Sequence, residues 1–283
     1  MRPHLIYSIT KEIEAEKISG LPLLAIGDSW FDVGSLPPWD TSNILYQLDL
    51  KKEYTIVGFA RSGQELKNMV NELQNRALFR ELLLKNGIPY RGILVSGGGN
   101  DLIALAAADQ KLDRSHRILL NTSEVPAPQR QLPEAYICPQ GLEVFKFRML
   151  GHYQKLIETR NKNYAGIPIL AHSYAYATPR MAGIPIVAPN GWLAVSLKKH
   201  KIPPELWGSI KKLLINEMFS VIEELAKIPG NRVVAVDTKN LLTPAEPGSK
   251  GESNDWENEI HPNLTGYKKL AAYWSKLIDS EIA

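Results

Sequence analysis

Leu23-Leu24-Ala25-Ile26-Gly27-Asp28-Ser29-Trp30 passes within eight residues from an unbroken apolar run to a glycine and then to a short polar cluster. Four consecutive aliphatic residues do not alternate as a half-buried strand would, so the run reads as a strand covered on both faces, the habit of parallel sheets. Four further runs share that character: Tyr54–Val57, Gly92–Val95, Ile167–Ala171 and Arg232–Val236. The segments between them carry helical spacing. Ile210, Leu214, Met218, Val221 and Leu225 recur every three or four residues, as do Tyr267, Leu270, Trp274 and Ile278, giving each segment one apolar stripe.

Strands that alternate with helices predict an α/β chain with a doubly wound parallel sheet of about five strands, covered by helices on both faces. Ligands of such sheets bind beyond the carboxyl ends of the strands. The polar clusters fall there: Asp28-Ser29, Arg61-Ser62-Gly63, Gly97 to Asp101, His172-Ser173 and Asp237. Residues 1–283 read as one domain with two long insertions, near 104–141 and 178–204, both proline-rich and weakly periodic. Loops of that length in a compact domain are often lids or binding loops.

Composition narrows the function classes. The chain has 283 residues, 44% hydrophobic content and a formal charge of +3, with no extended basic cluster to match nucleic acid. One cysteine, Cys138, excludes an intramolecular disulfide and a zinc cluster of several thiolates; it reads as a small buried hydrophobe. The run Leu21–Ile26 is too short for a signal sequence, and no apolar stretch approaches the roughly 18 to 20 residues of a membrane span. A cytoplasmic location is the expectation.

Ser29 emerges directly after a buried strand, where a short side chain reaches the rim of the sheet. A serine hydroxyl is a poor nucleophile until a base takes its proton. Among six histidines, His261 stands out in Glu259-Ile260-His261-Pro262, on a loop entering the last amphipathic segment. His172, ending a strand, is the second choice; His4, His116, His152 and His200 lie in polar or poorly patterned surroundings. Gly97-Gly98-Gly99-Asn100-Asp101 lacks both phosphate-loop fingerprints, and an amide donor to a developing oxyanion suits Asn100 better.

Four blocks, Gly27-Asp28-Ser29, Ser62-Gly63-Gln64, Gly98-Gly99-Asn100-Asp101 and His261-Pro262, occur in the order found in the SGNH, or GDSL-type, hydrolases, and the chain resembles that superfamily from about residue 21 to 280. The resemblance implies a three-layer α/β/α sandwich with a flavodoxin-like parallel sheet, and a lipase-like esterase acting on a small-molecule ester without metal or organic cofactor. It makes Ser29 the nucleophile, His261 the base, and Ser29, Gly63 and Asn100 the oxyanion hole. Trp30 stands where the family has leucine, a change expected to act on packing.

The family places aspartate three residues before its histidine; here that position is Asn258. Asp255, Glu259 and Asp237 are the carboxylates available to substitute, and Asp255 is favoured because it shares the loop. A Ser-His dyad helped by Asn258 is the alternative. Asp28 and Asp101 read as caps of the turns that hold Ser29 and Asn100. Two rival functions stand beside the hydrolase: a non-catalytic binding protein on the same scaffold, and a nucleotide-binding flavodoxin-like module using Gly97 to Gly99. Trp30, Phe31 and Trp39 are candidate walls for an acyl chain or a sugar.

Overall fold

In the computed structural model, the described residues are 1–7, 13, 15–32, 42–71, 75–83, 88–184 and 188–282. Trp39 and Pro185 lie outside them. Among the described residues six strands form one sheet: β1 (His4–Tyr7), β2 (Leu21–Gly27), β3 (Tyr54–Gly58), β4 (Gly92–Ser96), β5 (Ile169–His172) and β6 (Val233–Val236). Every pairing is parallel, in the order β1-β3-β2-β4-β5-β6. The five runs read from the sequence are the five strands after β1. That first strand escapes the pattern because it is a four-residue edge strand, half-buried or exposed at every position.

The helices are α1 (Leu66–Met69), α2 (Arg76–Leu83), α3 (Gly99–Ala107), α4 (Pro139–Tyr164), α5 (Leu193–Lys199), α6 (Trp207–Lys227) and α7 (Leu264–Glu281). They complete an α/β/α sandwich, with α6 packed on β6 and against α4. All five stripe residues of α6, and all four of α7, are buried. α6 and α7 thus cover apolar sheet surface as their spacing requires.

The strand order explains where a site must form. From β2 the chain moves to β3 on one side, then crosses back to β4 on the other, so the connections diverge at the carboxyl end of β2. Asp28 and Ser29 leave the sheet at that point. Register continues past the strand ends: Asp28 N–H donates to Ser96 O at 3.0 Å and Arg61 N–H to Gly27 O at 2.9 Å, which keeps the three rim loops side by side. Gly27 is needed for this approach, because a Cβ there would stand 2.9 Å from Ser96 O.

The described residues of the insertions include helical turns and core side chains. The first begins inside α3, passes through short 3-10 turns, and buries Ile118, Leu119, Tyr136 and Cys138 before α4 starts at Pro139. The second contains α5. No helix among the described residues is long and apolar enough to cross a membrane.

Candidate active site

Ser29 Oγ lies 2.8 Å from His261 Nε2, although 232 residues separate them in the chain. His261 Nδ1 faces Asn258 Oδ1 at 3.1 Å. That same amide oxygen accepts the backbone N–H groups of Ile260 at 3.1 Å and His261 at 2.9 Å, which identifies it as oxygen, since an NH₂ could not accept. The proton of the neutral imidazole therefore sits on Nδ1, and the Nε2 lone pair points at the serine hydroxyl. Burial pushes the His261 imidazole down to about 4, so it is neutral at physiological pH.

Asp255 does not take the position favoured for it from the sequence. Its Oδ2 accepts Thr243 N–H at 2.6 Å and pairs with Lys269 Nζ at 2.5 Å. The hairpin-like loop, bridged at Ser253–Trp256 and Trp256–Pro262, turns Asp255 toward the start of α7 instead of toward the imidazole. Asp237 is bound to Lys239, whose amide and ammonium it engages. Glu259 is spent on the amino end of α5, accepting Leu193 N–H at 3.1 Å, Ala194 N–H at 2.7 Å and Trp192 N–H. Asn258 alone among the four candidates touches the imidazole.

Asp28 is the hub beneath the serine. Its Oδ1 accepts Trp30 N–H at 3.1 Å and Ser96 Oγ–H at 2.8 Å; its Oδ2 accepts Tyr174 OH at 2.5 Å. The turn-capping role read for it is present, in the Trp30 bond. Burial drives its carboxyl above the ordinary range while these donors pull the other way. Tyr174 reaches it from a left-handed backbone, φ 61°, a conformation that costs a bulky residue about 1–3 kcal/mol. His172, the second-choice base, bonds Ser96 Oγ at 2.9 Å rather than Ser29. Since Ser96 donates to Asp28, His172 donates from Nε2, and its Nδ1 has no hydrogen-bond partner among the described residues.

The other two blocks flank the serine. Asn100 Nδ2 donates to Gln64 O at 3.2 Å and makes a long 3.5 Å contact with Asp28 Oδ2. Asp101 Oδ2 accepts Leu66 N–H at 2.8 Å, joining this block to the Gly63 turn, and burial raises its carboxyl to about 6. Gly63 adopts φ 75°, with open space where a side chain would stand. Among the described residues, the backbone N–H groups of Ser29 and Gly63 have no protein acceptor.

Trp30 packs against His172, Tyr174, Trp256 and Tyr267, and its Nε1–H donates to Ile260 O at 3.2 Å, tying the serine loop to the histidine loop. Trp192 presents its ring edge-on to His261, 5.5 Å between centroids. The second insertion therefore reaches the site. A small cleft adjoins Ser29, Trp30 and Asn100 and is lined by Leu102, Ile103, Ile215 and Trp256. Phe31 is fully buried under His172 and is core, not wall.

Ser96, the last residue of β4, Tyr174, two residues past the end of β5, and Lys211, which lines the cleft from α6, were not candidates from the sequence. No group of three or more His, Cys, Asp or Glu side chains among the described residues is arranged to hold a metal ion.

The chain shares its fold with solved structures of lipases. It is similar to a possible lipase from Chitinophaga pinensis, with TM-score 0.53 and 11% identity over 92% of this chain and 98% of that one. A lipase from a goat rumen metagenome superposes with TM-score 0.50 and 14% identity, covering 90% and 96% of the two chains. An extracellular lipase from Streptomyces rimosus gives TM-score 0.50 and 11% identity over 92% and 99%. No family model and no curated protein sequence matches the chain.

Proposed function

We propose that the chain is a serine hydrolase that cleaves a carboxylic ester by two-step acyl transfer. The observation that carries the reading is the 2.8 Å contact between Ser29 Oγ and a His261 Nε2 whose tautomer is set for proton acceptance. Ser29 attacks the ester carbonyl while Nε2 takes its proton. The oxyanion forms between the N–H groups of Ser29 and Gly63 and the Asn100 amide, which gives up its long contact to Asp28. His261 then passes the proton to the leaving alcohol and activates water against the acyl-enzyme.

In this mechanism Asn258 holds the imidazole in the productive tautomer but supplies no charge to the imidazolium that forms in each transition state. Ser29→Ala is expected to abolish turnover of a model ester in a protein that melts like the parent. Retention of full activity would sink the assignment.

The amide at Asn258 also favours a second reading, a binding protein on this scaffold with an eroded triad. A fluorophosphonate probe separates the two, because only an activated Ser29 is labelled, and labelling must vanish in Ser29→Ala.

A further inference from the structure

Lys211 lies in α6 among apolar neighbours, yet it is 8% exposed and lines the same cleft as Ser29 and Asn100. Its ammonium has no hydrogen bond or ion pair with any described residue. The carboxylate nearest in effect is Glu259, whose oxygens are occupied by three amide N–H groups at the start of α5. Asp28 also borders the cleft, but Trp30, Ser96 and Tyr174 all donate to its carboxylate. A desolvated cation with no direct ion pair is costly, and burial holds this amine down to about 8 even with the more distant attraction of Glu259. Met, with nearly the same shape, would fill the position without that cost.

Leu102, Ile215 and Trp256, each about 1% exposed, wall the rest of the cleft and leave Lys211 as its basic side chain. The part of a substrate that stays bonded to Ser29 until deacylation is the acyl group, and it is the part suited to a cleft beside the serine; the alcohol departs first.

We infer that Lys211 is a specificity-determining residue whose ammonium seats a carboxylate at the far end of the acyl group, so that the preferred substrate is a monoester of a dicarboxylic acid. This rests on the ester-hydrolase reading above. Apolar walls strengthen a charge-assisted hydrogen bond made inside the cleft, and a neutral chain leaves the ammonium unpaired.

The test pairs monomethyl glutarate with methyl 5-methylhexanoate, in which an isopropyl end replaces the carboxylate, following released acid by titration. The wild-type protein is expected to favour the anionic ester at least about tenfold in kcat/KM, and Lys211→Met and Lys211→Gln to lose that preference. Equal or reversed preference in the wild type, or a preference that survives both substitutions, overturns the inference. Calorimetry with glutarate on Ser29→Ala protein gives a readout independent of turnover. Glutarate binding that disappears in Ser29→Ala/Lys211→Met supports the seat even if no ester is cleaved. Cleavage of the neutral ester without glutarate binding overturns the seat and leaves the hydrolase standing.

Discussion

The amide oxygen of Asn258 stands 3.1 Å from Nδ1 of His261, where a charged triad would present a carboxylate. It makes the right hydrogen bond with the wrong charge. A base with a pKa near 4 is neutral across most of the pH range, so kcat/KM is expected to stay level down to about pH 4 and fall only as His261 protonates below it. Asn258→Asp keeps the three donors and adds a negative charge that favours the imidazolium. The acid limb then moves upward toward the ordinary histidine value of about 6.5. At pH 7 kcat is expected to rise at least about tenfold. Asn258→Leu, which removes the acceptor, lowers it. Rate profiles from pH 3.5 to 9 on the three proteins decide the matter.

Asn100→Ala removes the side-chain donor proposed for the oxyanion while leaving the Ser29–His261 contact in place. Loss of one such donor costs about 10²–10³ in kcat. Because the interaction belongs to the transition state, KM is expected to change little. Steady-state kinetics with a p-nitrophenyl ester reads both parameters.

His172 links acid stability to its burial. Its imidazole is pushed down to about 3 inside the Trp30, Phe31, Tyr174 and Trp274 cluster, whereas in the unfolded chain it titrates near 6.5. The unfolded state therefore binds one more proton at this residue between those values. Its contribution is whole above about pH 6.5 and is lost as pH falls toward 3, at about 1.4 kcal/mol per pH unit. Urea titrations at pH 6, 5 and 4 should show the stability of His172→Phe falling less steeply than wild type by about that slope. His261 and Asp101, common to both proteins, cancel from the difference.

Glu259 holds the second insertion against the histidine loop through the amides of Trp192, Leu193 and Ala194. Glu259→Ala leaves buried N–H groups without acceptors, at about 1–3 kcal/mol for the first of them. The expected outcome is a lower Tm together with reduced kcat, because Trp192 packs on His261. Differential scanning calorimetry and kinetics on the same preparations test the coupling.

How far the chain can be read before folding depends on what each residue must advertise. Leu23–Ile26 and Gly92–Val95 are buried on both faces and so are apolar throughout; five strands and their order along the chain were legible from such runs. His4–Tyr7 pairs on one side only, and none of its four residues is buried. Ser29, Asn100 and Gly63 were legible as candidates because each follows a strand at the sheet rim, and His261 because its loop enters the last helix. The partner of His261 was not, because a bend around Trp256 turns Asp255 toward Lys269, and nothing in residue spacing records that direction. Lys211 left a faint signal: it falls on the helical face of Ile215, Met218 and Ile222, all buried, where a charge is out of place.

The indole bond from Trp30 to Ile260 O joins two loops that the ribosome makes far apart in time. A chain emerging with Ser29 already in place has no base until His261 has been synthesised and the loop around Trp256 has closed on the indole. On the proposed reading the nascent protein is thus chemically silent, and its serine gains reactivity only when the closing stretch docks. On that reading, any lesion that loosens the docking, even one remote from Ser29, leaves the serine as inert as in the nascent chain.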